Sequence, residues 1–331
     1  MTAPDSAPQA PPLFELKNLS RFFYRQAGFL GSSKKICAVN QVNLQLARGE
    51  TLGLVGESGS GKSTLARMAV RLLKPSAGDV LLDGKSVFSA DRRFRATLPG
   101  RIQMVFQDPY SSLNPRLRVG SSIGEALACA GMPKSGRREK IVRLLEQVGL
   151  DEDCVNRFPH EFSGGQRQRM SLARALAPDP DIIVCDEPVS SLDASVQAQV
   201  LNLLKDNQDR LNLSYLFISH DLAVVNHMSD KIAVMYAGSI VEAGPAAEIF
   251  RNPRHPYARE LLSASCGEAG AGRKQDPGRP PGEVSAISRS CAFLRRCPDI
   301  GPLCANNFPE LKPVADKNFD PGHLVRCWNT R

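Results

Sequence analysis

No apolar run in the 331-residue chain approaches the ~20 residues that a membrane-crossing helix needs, which excludes a protein built from such spans. The opening segment, Met1 to Pro12, lacks the basic head and apolar stretch of a secretory signal; its Pro- and Ala-rich composition predicts a disordered leader. Aromatic residues are few, at 6%, and are not interleaved with the basic ones. Those basic residues are scattered apart from short pairs such as Arg92-Arg93, Arg137-Arg138 and Arg295-Arg296. The net charge of +8 therefore reads as a solvated surface, with no nucleic-acid partner. Internal repeats are also missing. What remains is the composition of a globular protein able to bury a core, with 42% hydrophobic and 23% charged residues. Nine cysteines without a secretory signal point to a reducing compartment, where grouped cysteines suggest a metal more than disulfides. Cys37, Cys129, Cys154 and Cys185 stand alone and read as ordinary buried residues; Cys291, Cys297, Cys304 and Cys327 gather at the C-terminal end.

The chain is organised around Gly56-Glu57-Ser58-Gly59-Ser60-Gly61-Lys62-Ser63-Thr64. An apolar run, Thr51 to Val55, precedes it, and Leu65, Met68, Ala69, Leu72 and Leu73 follow on one face of a helical pattern. Strand, glycine-rich turn and helix is the setting in which a GxxxxGK[ST] string cradles phosphates. Bare N–H groups and the positive helix end suit a polyphosphate anion. Lys62 is placed to reach the β- and γ-phosphates of a nucleoside triphosphate, and the Ser63 hydroxyl to bind Mg²⁺.

Phe14 to Leu19 and Ala38 to Leu46 read as strands, with a polar loop from Gly28 to Lys35 between them and Phe22, Phe23 and Tyr24 just ahead of that loop. Val80 to Leu82, followed by Asp83-Gly84, predicts a strand ending in a hairpin turn. Ile102 to Phe106 is a further buried-strand candidate. Beyond it, from about residue 108 to 160, glycines and prolines and then an apolar face at Ile141, Leu144, Leu145 and Val148 predict a small helical subdomain. Ile182 to Cys185, Tyr215 to Ser219 and Ile232 to Tyr236 are short strands separated by helical stretches, the pattern of a largely parallel sheet covered on both faces. Residues 263–290 are dense in Gly, Pro and charge and read as a linker to a cysteine-bearing extension at 291–331.

The strand Ile182 to Cys185 delivers Asp186 and Glu187 at its end. Such a pair can divide the work, Asp186 organising the Mg²⁺ shell and Glu187 polarising an attacking water. Phe162-Ser163-Gly164-Gly165-Gln166 opens a helical run and by itself is an N-cap and turn. Taken with the P-loop, it resembles the LSGGQ signature of the ATP-binding subunits of ABC transporters, with Phe162 in the leucine position. The resemblance covers roughly residues 14–262. Gln107 matches the Q-loop, Ser191-Leu192-Asp193 the D-loop and His220 the H-loop; Phe23 falls where the family stacks an aromatic on adenine, with Phe22 and Tyr24 as alternatives. It implies an α/β P-loop NTPase (RecA-like) core spanning 13–262, with an antiparallel β subdomain and a helical subdomain. It also implies ATP and Mg²⁺ as ligands, Mg²⁺ being held by Ser63, Gln107 and Asp186. Residues 163–165 would face the ATP bound by a partner ATPase, with His220 on the γ-phosphate and Glu187 orienting the water.

Three features are similar to the peptide/nickel importer branch: the run Val105 to Pro115, the Asn252-Pro253 and His255-Pro256-Tyr257 elements, and the tail cysteines. The branch implies import of di- and oligopeptides, with nickel or another small solute as an alternative; a soluble ABC ATPase of DNA repair or translation is the alternative of another class. Expected partners are a second ATPase subunit in a heterodimer, two integral membrane permease subunits and, indirectly, an extracytoplasmic solute-binding protein. The expected location is peripheral, on the cytoplasmic face of the cell membrane. Cys291, Cys297, Cys304 and Cys327 suit a [4Fe–4S] cluster, which some relatives carry in this extension, or Zn²⁺.

Overall fold

Strict alternation decides which way each central strand faces. In β7 (Ile182–Asp186), Ile182 and Val184 join the core on one side of the sheet while Ile183 and Cys185 join the core on the other. The same division holds in β8 (Ser214–Ile218), where Leu216 and Ile218 oppose Tyr215 and Phe217. It holds again in β9 (Lys231–Tyr236), where Ala233 and Met235 oppose Ile232 and Val234. Strands apolar on both faces belong in the middle of a sheet with helices on each side. The computed structural model describes residues 11–26, 33–108, 113–265, 290–314 and 322–329. Most of the expected leader and linker, and Pro109 to Ser112 of the Q-loop run, lie outside these residues.

The main sheet has the order β11-β12-β10-β9-β3-β8-β7-β6, where β3 is Thr51–Val55, β6 Ile102–Val105, β10 Ser239–Pro245, β11 Lys312–Pro313 and β12 Leu324–Val325. From β6 to β9 all pairings are parallel; β10, β12 and β11 add antiparallel strands at one edge. A second, antiparallel sheet runs β2-β1-β4-β5, from β1 (Phe14–Gln26), β2 (Ser33–Leu46), β4 (Ala77–Leu82) and β5 (Lys85–Ser86). Helices Val119–Cys129 and Arg137–Gln147 form the predicted helical insert, burying Ile123, Leu127, Ile141, Leu144 and Leu145.

Two local readings change. Strands β1 and β2 extend past Leu19 and start before Ala38, because Arg21 to Gln26 pair with Val39 to Ser33. The aromatic run thus sits on a strand, and Ser33 to Lys35 are no loop. The P-loop helix stops at Ala69, and Arg71 adopts a left-handed φ of 64°. That reversal turns Leu72 out of the predicted apolar face, leaving it 63% exposed.

The tail is built onto the core sheet. Phe293 is buried in the main core, and β12 pairs with β10 through Glu242↔Val325 and Ala243↔Leu324. Nearby, His255 is buried and its Nδ1 accepts the Tyr257 N–H at 3.0 Å, a bond only an unprotonated nitrogen can accept. Burial, with Arg259 and Arg326 close by, pushes the imidazole down to about 3. The native state therefore holds neutral His255, whereas the unfolded chain protonates near its ordinary value of about 6.5. This contribution to stability is complete above that value and is lost as pH falls towards the folded value, with a limiting slope of about 1.4 kcal/mol per pH unit. Urea unfolding at pH 7.5 and 5.5 should show a smaller loss in His255→Asn, which cannot titrate, than in the unaltered chain. Equal losses in both would contradict the assignment.

Candidate functional site

The loop between β3 and the helix Lys62–Ala69 is tight enough to demand glycine at two points. At Gly56, with φ 155°, a Cβ would stand 2.2 Å from the Met235 carbonyl oxygen; at Gly61, with φ 109°, it would stand 2.3 Å from the Ala38 carbonyl oxygen. The second contact ties the β1–β2 hairpin to the loop. Phe22 pairs with Cys37, the residue before Ala38, so the aromatic stretch lies in the strand pair that abuts the loop. The faces of two of these rings carry cations: Arg21 lies 4.8 Å from the Phe23 ring and Lys35 3.8 Å from that of Phe22. Tyr24 is the most open, 70% exposed against 38% for Phe23.

Lys62 is buried, and its ammonium donates to the Gly56 and Glu57 carbonyls at 2.6 and 2.9 Å. Burial lowers its proton affinity, and the carboxylates of Glu187, Asp186 and Glu57 act in the opposite sense. The Ser63 hydroxyl donates to Asp186 Oδ1 at 3.1 Å. Burial raises the Asp186 carboxyl above its ordinary range against that hydrogen bond, and Glu187 adds to the rise. A buried carboxylate beside a hydroxyl offers the oxygen ligands a divalent cation takes, so the Ser63–Asp186 pair suits Mg²⁺.

Glu187 follows β7 in a left-handed conformation, φ 50°, with its N–H bound to the Ile218 carbonyl at 2.9 Å. Its Oε2 is shared: Gln107 Nε2 donates to it at 3.0 Å and His220 Nδ1 lies 3.1 Å away. Gln107 also reaches Ser190 Oγ at 3.4 Å. Three elements distant in sequence thus converge on one carboxylate oxygen. Gln107 thus directs its amide nitrogen to Glu187.

The remaining residues form a separate group. Ser163 caps the helix Gly164–Leu176, its hydroxyl accepting the Gln166 N–H at 3.3 Å while Gln166 Oε1 accepts the Ser163 N–H at 3.0 Å. A Cβ on Gly165 would meet Val196 at 2.3 Å, so glycine there lets the helix Ala194–Leu211 approach. Asp193 caps that second helix through the Val196 N–H at 3.0 Å. Among the described residues, Ser163 and Gln166 bond each other and not the P-loop.

Residues 39–190 match the family model described as ABC transporter, and residues 241–304 match that of the oligopeptide/dipeptide transporter, C-terminal region. The dipeptide transport ATP-binding protein DppF of Haemophilus influenzae is 42% identical over 322 residues, 96% of this chain and 97% of its own. The chain belongs to the ABC transporter ATP-binding proteins. The oligopeptide transport ATP-binding protein AppF of Bacillus subtilis is likewise 42% identical, over 95% of this chain and 96% of its own. Among solved structures, the ATP-binding cassette MJ0796 in a dimeric post-hydrolysis state with ADP and Pi aligns with a TM-score of 0.62 and 28% identity, over 70% of this chain and 98% of that one. This ABC ATPase is an α/β P-loop protein with an antiparallel β subdomain, as its sequence implies. No described helix is long and apolar enough to cross a membrane.

The tail cysteines are drawn together. The Cys291 N–H donates to the Cys304 carbonyl at 2.9 Å, and backbone N–H groups of Gly301 and Asn329 point at the sulfurs of Cys304 and Cys327, each at 3.4 Å. Burial pushes the thiols of Cys291, Cys297 and Cys327 up, and each lies within electrostatic reach of at least one other tail cysteine. Among the described residues, no group of three or more His, Cys, Asp or Glu is arranged to hold a metal ion. Two contacts of the P-loop had no local signal in the sequence. The Glu57 N–H donates to the Tyr257 hydroxyl at 2.9 Å, and the Glu57 carboxylate pairs with Arg296.

Proposed function

We propose that this ABC ATPase binds and hydrolyses ATP to power import of di- and oligopeptides across the cell membrane. It would act with a second ATPase subunit, two membrane permease subunits and, indirectly, an extracytoplasmic binding protein, from a peripheral position on the cytoplasmic face. The observation that carries the chemistry is the convergence of Gln107, His220 and Glu187 beside Lys62, Ser63 and Asp186. Peptide cargo is supported by the C-terminal region match and by the names of DppF and AppF.

Each residue then takes a role from its position. Gly56 to Thr64 wrap the phosphates with N–H groups; Lys62 exchanges its loop carbonyls for phosphate oxygens. Ser63, Gln107 and Asp186 would hold Mg²⁺, which would offset phosphate charge. Glu187 Oε2 would accept the proton of the attacking water, and His220, 3.1 Å from that oxygen, would meet the γ-phosphate. Phe23, with Phe22 and Tyr24 as alternatives, stacks on adenine. Ser163, Gly164, Gly165 and Gln166 present a helix N-terminus to the ATP held by the partner ATPase, and Asp193 lies beside them at that interface. Opening and closing of the pair would drive the permease. A membrane partner is supported by a groove of mixed character, lined by Leu72, Leu98, Met104 and Phe106 together with Arg71 and Arg174 and reaching the residue before Gln107.

The four tail cysteines are proposed as ligands of a [4Fe–4S] cluster, with Zn²⁺ the alternative. Their all-thiol character and the N–H groups directed at two sulfurs support it. Protein purified without oxygen should contain iron and acid-labile sulfide, roughly four of each per chain. Stoichiometric zinc, or neither, would contradict the cluster.

Uptake of labelled di- and tripeptides in cells lacking the chain tests the cargo. Uptake should be lost, restored by the unaltered chain and not by Lys62→Ala. Unchanged peptide uptake, with nickel uptake lost, would overturn the peptide reading.

A further inference from the structure

The tail reaches back across the fold to the phosphate-binding loop. Arg296, immediately before Cys297, sends Nη1 to Glu57 Oε2 and Nη2 to Glu57 Oε1, each at 2.9 Å. The same guanidinium meets Glu260 Oε1 at 2.5 Å and lies 5.6, 5.8 and 5.9 Å from the ring centroids of Phe293, Tyr236 and Tyr257. Exposed ion pairs ordinarily contribute little, because two long side chains must be immobilised in water. Here the pairing is a two-pronged fork, the arginine side chain is only 19% exposed, and aromatic rings and a second carboxylate hold it in place.

The Glu57 backbone is anchored as well, its N–H by the Tyr257 hydroxyl and its carbonyl by Lys62. Two of the three anchors come from beyond residue 250. An unpaired carboxylate at this point of the loop would repel the polyphosphate the loop receives. We propose that Arg296 is a positioning residue for ATP binding: it draws the Glu57 carboxylate onto the tail, cancels its charge and holds the first half of the phosphate loop ready for the triphosphate. This rests on the ATP-binding reading above. It also makes the cysteine-bearing tail a working part of the nucleotide site, since Arg296 lies between Cys291 and Cys297.

Titration calorimetry with ATP on the purified full chain tests this. Arg296→Ala should weaken binding about tenfold, and Arg296→Lys, which keeps the charge without the fork, should lose less. The double variant Arg296→Ala with Glu57→Gln should regain most of the affinity, because no unpaired carboxylate remains. A role confined to packing predicts no such recovery. Affinity of Arg296→Ala and Arg296→Lys equal to that of the unaltered chain would overturn the proposal, as would a loss that the double variant does not restore. Absence of ATP binding by the unaltered chain would remove the ATP reading itself, and this proposal with it.

Discussion

Glu187→Gln is expected to leave ATP binding intact and to slow hydrolysis by roughly 10² to 10⁴, or about 3 to 5 kcal/mol of barrier. The substitution preserves shape, so the left-handed backbone at this position and its N–H bond to Ile218 are kept. What it removes is a basic oxygen. In the unaltered chain Oε2 is held between the Gln107 amide and the His220 ring, which fixes its direction. A glutamine amide in the same place cannot take a proton from water. Phosphate release and bound nucleotide should be measured together on the assembled transporter: turnover falls while ATP is retained. Turnover within a factor of two of the unaltered chain would remove Glu187 from the hydrolytic step.

The second large effect concerns the core strand that receives the tail. Glu242 and His323 are both 0% exposed; His323 Nε2 lies 2.7 Å from Glu242 Oε1, which also accepts the Arg254 N–H at 2.8 Å, while Oε2 accepts the His255 N–H at 2.7 Å. Glu242→Ala leaves the buried His255 N–H, the half-buried Arg254 N–H and a buried imidazole without their acceptor. Removing one side of such a buried network costs about 3 to 5 kcal/mol. Because Glu242 is also the register partner of Val325, the loss should loosen β12 first. Urea unfolding should show the lowered stability, and hydrogen exchange should show early loss of protection at residues 322–325. A variant as stable as the unaltered chain, with the tail still protected, would contradict this account of the node.

Much of this was legible in the sequence because it rests on local rules. The glycine spacing from Gly56 to Gly61 sets the loop, and the apolar run Ile182 to Cys185 sets the strand that presents Asp186 and Glu187. Asp83-Gly84 makes the predicted turn, both residues having positive φ, 48° and 72°. Order along the chain, through resemblance, picked out Gln107 and His220. It could not say that both meet one oxygen of Glu187, since that depends on three strands ending at the same edge. The reach of β1 to Gln26 was hidden because its aromatic and basic residues do not alternate cleanly; cross-strand pairing with β2 decides it. Arg296 and Glu57 stand 239 positions apart, and nothing periodic in either neighbourhood announces the contact.

The central claim is that this chain forms half of an ATP clamp whose Ser163 end closes over nucleotide held by a partner. It is tested most directly by thiol labelling at Ser163→Cys in the assembled transporter, in a Glu187→Gln, Cys129→Ser background that holds ATP and removes an exposed thiol. Labelling should be fast without nucleotide and strongly suppressed by ATP with Mg²⁺. The same labelling rate in both conditions would contradict the account.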